Sequence, residues 1–502
     1  MTTTEAVTAD ATEAPTTFDS LNPATGEVVG THPIHDAAAV QAAVEEARRQ
    51  ADWWQGLGFD GRKKQLGAWR ALVTRRMDEL AAVMSAETGK PKGDALLEIS
   101  LAIDHLAWAA AHAPKVLGRQ KVSPGLLMAN QAASVAYRPL GVVGVIGPWN
   151  YPVFTPMGSI AYALAAGNAV VFKPSEYTPG VGVWLAETFE EAVGRPVLQV
   201  VTGFGATGGA LCASGVDKLA FTGSAPTGKK VMAACAETLT PVIIEAGGKD
   251  ALLVAEDASI ADAAEAALWG ACGNAGQTCV GVERVYVHER VYDDFVAELV
   301  EQAKQVKAGP GEQVGPITMP KQMDTIKRHI DDALARGGRA LVGGADAVGE
   351  RFVQPTVLVD VPEDSAAIKE ETFGPTVTVT KVADMDEAVR LANDTAYGLG
   401  STVFSAKQGM EIAERLRAGM TAINGVISFA GIPTLPFGGI GESGFGRIHG
   451  PDGLKEFTYA HAIARQRMKP VLALTTFKRT ARAEKQLTRI VGALYGRGGK
   501  KD

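Results

Sequence analysis

From Leu140 onward the chain alternates short apolar runs with amphipathic stretches, and that rhythm restricts its architecture more than any other feature. Val142–Ile146, Ala169–Phe172, Leu198–Val201, Lys218–Phe221 and Val242–Ile244 read as strands, with helical periodicity between them over Val181–Val193 and Thr227–Ala236. Such alternation predicts an α/β fold with a parallel sheet covered on both faces. Most of these runs end in glycine or proline: Gly147-Pro148, Pro174-Ser175, Gly203-Phe204-Gly205, Gly223-Ser224 and Gly247-Gly248. Ligands of open parallel sheets bind outside the carboxyl ends of the strands, so these turns should converge on one crevice. The alternation resumes after Asp250 and continues to about Ala422, as a second α/β domain that would supply the opposite wall. Before the sheet, Asp36 to about Gly118 has helical spacing, with Val40, Ala43, Val44 and Ala47 on one face. Gly125–Ala136 carries few charges and reads as a loop or hairpin.

Composition excludes several classes. A chain of 502 residues with net charge -7 lacks the basic balance of a general nucleic-acid binder. The four cysteines, Cys212, Cys235, Cys272 and Cys279, form no CxxC pair and no zinc pattern, which favours a reducing cytoplasm and predicts no metal site. Residues 1–17 are rich in Thr, Ala and Glu, without an apolar signal core, and read as a disordered tail. No apolar run approaches the roughly 18 residues of a membrane-spanning helix.

Cys279 lies in Asn274-Ala-Gly-Gln-Thr-Cys-Val-Gly-Val-Glu-Arg284, between a helical run and a strand around Val285-Tyr286-Val287. Ser259 and Asp262 look like the cap of that helix, and Gly273 stops it. Taken alone, Cys279 is either an electrostatically activated thiol or a small buried apolar residue. Four other stretches add chemistry. Phe221-Thr222-Gly223-Ser224-Ala225-Pro226-Thr227-Gly228 follows a strand and opens a helix, where backbone N–H groups suit a phosphate; a capped tight turn is the alternative. Lys173-Pro174-Ser175-Glu176 ends a strand with groups able to hold ribose hydroxyls, or simply a surface ion pair. Glu245 ends a buried strand, where desolvation raises a carboxylate toward general-base range; otherwise it is a turn carboxylate. Asn150, after the first sheet strand, offers an amide for an oxyanion hole, or serves only the turn.

Together these stretches resemble the NAD(P)-dependent aldehyde dehydrogenases. The resemblance runs from about Leu21 to Lys469 and rests on Pro148-Trp149-Asn150-Tyr151-Pro152, Lys173-Pro174-Ser175-Glu176, Phe221-Thr222-Gly223-Ser224, Glu245-Ala246-Gly247-Gly248-Lys249, Gly276-Gln277-Thr278-Cys279, Glu371-Thr372-Phe373-Gly374-Pro375 and Pro436-Phe437-Gly438-Gly439 leading to Ser443-Gly444-Phe445-Gly446-Arg447. It implies Cys279 as nucleophile, Glu245 as general base, and Asn150 with the Cys279 N–H as oxyanion donors. It further implies that Lys173 and Glu176 hold the adenosine ribose, Ser224 the pyrophosphate and Glu371 the nicotinamide ribose. Phe373 would pack by the ring, and Trp149, Gly205 and Gly223 would line the cofactor path. The cofactor implied is NAD, with NADP possible; Glu176 favours NAD. A Rossmann-like cofactor domain (residues 18–119 and 140–245), a catalytic domain (246–450), an oligomerisation element (120–139 and 451–468) and a basic tail (469–502) are implied, assembling as a homodimer or homotetramer.

The spelling of Trp-Asn-Tyr-Pro and of Leu239-Thr240-Pro241-Val242 is similar to the class-three branch, which takes fatty and aromatic aldehydes. Three positions depart from the family pattern. Ala246 replaces the usual Leu, and Ser159 and Ile448 stand where one branch places a Lys–Glu relay. Phe154, Met157, Trp269, Val280 and Phe429 would make an apolar tunnel, or each is core, with no cation near Gly158 for a distal carboxylate. The expected substrate is therefore an uncharged aldehyde. Succinic semialdehyde, an acyl-CoA-forming enzyme and an idle NAD-binding relative are the alternatives. In the tail, Phe477, Ala481, Leu487, Val491 and Leu494 share a helical face amid basic residues, suited to docking on a protein surface or an anionic membrane.

Overall fold

The computed structural model describes residues 15–470, 472 and 474–496, which fall into two compact units. The large unit, reaching to Val116 and resuming over Pro139–Tyr459, holds two parallel-stranded sheets. The first has six strands in the order Gly444–Phe445, Val242–Ala246, Lys218–Gly223, Val142–Ile146, Ala169–Lys173, Leu198–Val200. The last five pair in parallel, and only Gly444–Phe445 runs antiparallel to its neighbour. The strands sit where the apolar runs predict them. Ala169–Lys173 is buried at every position, which explains why it reads as a continuous apolar run without alternation.

From Val142–Ile146 the chain moves outward on one side through Ala169–Lys173 and Leu198–Val200. It then returns to the other side through Lys218–Gly223 and Val242–Ala246. That reversal is the topological switch point, and it opens a crevice beyond the ends of Val142–Ile146 and Lys218–Gly223. The helices Ala37–Gly56, Gly58–Arg75, Met77–Thr88 and Lys92–Leu117 precede the sheet. Asp36 caps the first by accepting the Ala39 N–H at 2.8 Å. Trp54, fully buried, donates its indole N–H to the Leu164 carbonyl at 2.8 Å, so this helical layer is locked to the helix Phe154–Ala166.

The second sheet orders seven strands: Arg339–Val342, Thr356–Val359, Thr376–Val382, Val282–His288, Asp250–Val254, Ser401–Phe404 and Ala422–Ile423. All its pairings are parallel except that of Arg339–Val342. The strand around Val285 starts earlier than expected, at Val282, and is buried as far as Val287. Ser259 does occupy the cap position of the helix Ile260–Cys272, but its side chain makes no capping hydrogen bond there.

The small unit comprises Leu117–Arg138 and the described residues from Ala460 onward. Gln120–Val122 and Gln131–Pro139 form an antiparallel hairpin, and Thr458–Gln466 completes a three-stranded sheet. The helix Ala481–Tyr495 is capped by Thr480 and buries none of its residues. Phe477, expected on its apolar face, lies before the helix begins. Residues 451–459, expected beside the hairpin, belong to the large unit, where the helix Gly450–Glu456 packs against Phe154–Ala166. Residues 1–14 of the expected tail lie outside the described residues, and Thr17 already opens a strand paired with Val28–Pro33. Among the described residues, no helix is long and apolar enough to cross a membrane.

Candidate active site

The crevice at the switch point is lined by Trp149, Asn150, Gly223, Ser224, Gly247, Cys279, Glu371 and Phe373 among others. Five strand-end and loop segments far apart in sequence thus meet in one place. Trp149 and Phe373 stand edge to face, their ring centroids 5.6 Å apart at 81°. Lys173, Glu176 and Gly205 are not part of this wall. They lie at the ends of the next strands outward, Ala169–Lys173 and Leu198–Val200.

Cys279 is delivered by a contorted loop. Asn274, Ala275 and Gly276 all take left-handed backbone angles, with φ of 53°, 57° and 70°. Such a run costs energy at the two non-glycine positions and marks a backbone held by its surroundings. Side-chain amides do the holding. Asn274 Nδ2 donates to the carbonyls of Asn150 (2.9 Å) and Gln277 (3.2 Å). Gln277 Nε2 donates to Asn274 O at 2.9 Å, and its Oε1 accepts the Thr318 N–H at 2.8 Å. Asn150 Nδ2 donates to the Gln277 carbonyl at 2.8 Å, tying the amide of one wall to the nucleophile loop of the other.

The electrostatics differ from the activated thiol that the sequence suggests. The Cys279 thiol is partly exposed, yet burial and the neighbouring Glu245, Asp250 and Glu371 carboxylates push its pKa well above the ordinary thiol value. The Val280 N–H acts in the opposite direction. Glu245 is 4% exposed, and its Oε2 has no hydrogen-bond partner among the described residues. Burial raises its pKa to about 8. Glu371 rises to about 8 as well, through burial and then the Glu283 charge. The Glu245 charge thus bears directly on the Cys279 thiol.

The residues present fit a dinucleotide. Ser224 precedes the helix Ala225–Ala236 without capping it; its hydroxyl bonds to Thr227 Oγ1 at 3.0 Å instead, leaving the first N–H groups for an anion. Glu371 accepts the Gly248 N–H at 3.1 Å, on the cleft wall. Lys173 is buried along its stem, and burial lowers its pKa while Glu176 acts to raise it, so the two are neighbours.

Two further residues secure this wall, and the sequence reading assigned them nothing. Glu283 accepts the N–H groups of Thr372 (2.8 Å) and Phe373 (2.9 Å) and pairs with the fully buried Lys249. A Glu-Arg pair opening an otherwise apolar strand was the available signal, since buried charges need partners.

A second cavity, mostly apolar, also reaches Cys279. Its lining includes Leu97, Leu101, Phe154, Trp269, Val280, Ile427 and Phe437. Of the expected tunnel residues, Phe154, Trp269 and Val280 are there. Met157 and Phe429 are not; both are buried as core, 3% and 5% exposed. The helix Lys92–Leu117 supplies the wall they were expected to make, a contribution that helical spacing alone does not reveal. Cys272, beneath the loop, is buried, and its pKa is pushed up to about 12, as befits a packing residue.

A doubly wound sheet opening on a cleft that fits a dinucleotide, with a thiol in its wall, defines a cofactor-dependent oxidoreductase. The profile of the aldehyde dehydrogenase family matches residues 9–463. A Methylomonas protein named 4,4'-diapolycopene aldehyde oxidase is 38% identical over 451 residues, 88% of this chain and 85% of its own. A Mycobacterium tuberculosis protein provisionally named an NADP(+) succinate-semialdehyde dehydrogenase is 36% identical, covering 88% of both chains. The crystal structure of an NAD-dependent aldehyde dehydrogenase from Sinorhizobium meliloti superposes with a TM-score of 0.86 at 33% identity, covering 91% of this chain and 93% of that one. The chain belongs to the aldehyde dehydrogenase family, whose members use NAD or NADP.

Proposed function

We propose that the protein oxidises uncharged aliphatic or aromatic aldehydes to carboxylic acids through a covalent adduct on Cys279. The observation that carries this is that Cys279 lines both cavities, the apolar one and the one flanked by Trp149, Glu371 and Phe373. A carbonyl carbon entering from the first meets the sulfur at the edge of the second.

In this reading the Cys279 thiol gives up its proton to solvent and the sulfur bonds to the carbonyl carbon, leaving the Glu245 carboxylate free for the later step. The carbonyl oxygen becomes an alkoxide, held by the second N–H of the Asn150 amide and the Cys279 N–H. Bound in the cleft, NAD(P)+ supplies the hydride acceptor. The acyl group is then a thioester on Cys279. Glu245 withdraws a proton from water, which attacks the thioester and releases the acid while the thiolate leaves. Lys173, Glu176 and Gly205 serve the adenosine end of the cofactor, Ser224 and Gly223 the pyrophosphate, and Glu371 the nicotinamide ribose. Glu176 favours NAD.

Charge in the apolar cavity supports an uncharged substrate. Among the described residues that line it, the one cation, Lys90, is already paired with Glu98, and Asp94 adds a carboxylate. A substrate carboxylate would find no partner there, in spite of the name given to the mycobacterial relative. We further propose the cytoplasm as location and a homodimer or homotetramer built on the small unit. Its hairpin exposes Val122, Leu126, Leu127 and Met128. The domain roles follow the two sheets, with the cofactor on the six-stranded one. A panel of decanal, benzaldehyde and succinic semialdehyde with both cofactors, run on the native chain and on Cys279→Ala, tests the reading. Turnover of the first two and none in the variant is expected; full activity of Cys279→Ala would overturn it.

A further inference from the structure

Lys90 and Glu98 form an ion pair whose side chains are 1% and 0% exposed. Desolvation offsets much of the attraction in a pair so deep, so stability alone does not account for it. Its remaining bonds all go to one turn. Lys90 Nζ donates to the main-chain carbonyl of Asn150 at 2.9 Å. Glu98 Oε1 accepts the N–H groups of Val153 (2.9 Å) and Phe154 (3.0 Å), at the start of a helix that has no capping side chain of its own. The pair therefore grips residues 150–154 at both ends. Between the grips, the Tyr151 ring lies 4.1 Å from Lys90 Nζ, and its hydroxyl is 3.0 Å from Thr278 Oγ1, next to Cys279.

We propose that Lys90 and Glu98 are positioning residues for the oxyanion, fixing the Asn150 amide relative to Cys279 by clamping the turn that carries it. The inference rests on the catalytic reading of Cys279 and Asn150 given above. Charge-assisted bonds to a carbonyl and two N–H groups resist reorientation of those peptides better than neutral ones. That stiffness matters because a misplacement of about 1 Å costs on the order of 100-fold in rate.

The test is a double-mutant cycle. Lys90→Met with Glu98→Gln removes both charges, keeps their shape and retains an acceptor for the Val153 and Phe154 N–H groups. Aldehyde kcat should fall about 10- to 100-fold, with KM for NAD and the rate of Cys279 alkylation by iodoacetamide within about twofold. In an Asn150→Ala background the same pair of changes should cost less than about threefold, because the group they position is gone. An equal loss in both backgrounds, or no loss in either, overturns the proposal. Glu98→Gln alone, read by the same cycle, serves if the paired variant fails to fold. Cys279→Ala is run in parallel: if it stays active the catalytic reading fails, whereas an additive cycle with inactive Cys279→Ala removes only the positioning role.

Discussion

The Glu371 carboxylate packs directly on Gly247: a Cβ placed on that glycine would fall 1.9 Å from Glu371 Oε1. The backbone at Gly247 lies outside the left-handed region, so alanine fits the main chain and only the end of one side chain has to move. Gly247→Ala is therefore expected to fold and to push Glu371 off the cleft wall. KM for NAD(P)+ should rise about tenfold, a loss of roughly 1.4 kcal/mol of binding, with KM for the aldehyde nearly unchanged. Steady-state kinetics with each substrate varied in turn check this. An equal rise in both constants would show that Glu371 does not act through the cofactor.

Glu245 should give the pH profile its shape. Burial without a partner for Oε2 raises its pKa to about 8, so the basic form gains population as pH rises through that value. Turnover limited by thioester hydrolysis should accordingly climb between about pH 7 and 9 and then level off. Glu245→Gln should abolish that limb and slow steady-state turnover about 100-fold, at the low end of general-base effects. The first burst of NADH should persist, because adduct formation and hydride loss precede hydrolysis. Stopped-flow absorbance at 340 nm reads both phases. Loss of the burst along with turnover would place Glu245 in the earlier step instead.

How far the site was legible in the sequence follows from which residues carry local signals. Strand ends marked by glycine or proline put Asn150, Lys173, Ser224 and Glu245 at the carboxyl edge of one sheet, and the coordinates place all four there. The family resemblance brought Cys279, Glu371 and Phe373 to the same cleft, a long-range meeting that no spacing encodes. The raised Cys279 pKa was not legible, because it depends on burial by the folded chain and then on Glu245, Asp250 and Glu371 arriving from elsewhere. Met157 and Phe429 show the same limit: an apolar residue near a site reads alike whether it faces the cavity or the core. The antiparallel strand Gly444–Phe445, which extends the six-stranded sheet from the far end of the chain, is only two residues long and carries no pattern.

Asn168 joins three separate segments and should be among the positions most sensitive for stability. It is fully buried, and its Oδ1 accepts the N–H groups of Leu140 (2.7 Å) and Gly141 (3.0 Å). Its Nδ2 donates to the carbonyls of Ala163 (3.0 Å) and Phe457 (2.8 Å). Asn168→Ala leaves two half-buried donors and the Phe457 carbonyl without their partner, at a cost of about 3 kcal/mol. A thermal midpoint lowered by about 3 °C is expected, read by differential scanning fluorimetry with unchanged KM values. A midpoint within a degree of the native protein would mean that water replaces the lost bonds.

Two neutral histidines behind the apolar cavity should set the acid limit of stability. His449 is 1% exposed, sits 4.0 Å from the His105 ring, and finds no protein partner for either nitrogen. The rings of Phe154, Tyr162 and Phe437 surround it. Burial lowers the pKa of His105 to about 4, and burial with the neighbouring imidazole drives His449 well below the usual value. In the unfolded chain both titrate near 6.5, so between that pH and 4 the unfolded state binds protons that the folded state refuses. Stability is thus fully present above about pH 6.5 and is lost as the pH falls toward 4, by about 3 kcal/mol from His105 alone. The backbone at position 449, where φ is 63° and ψ 163°, already carries a side chain, and asparagine placed there does not titrate. His449→Asn should lower the midpoint at neutral pH through lost packing, yet shrink the drop between pH 7.5 and 5. Thermal midpoints across that range check it, and an undiminished slope would assign the acid lability to carboxylates elsewhere.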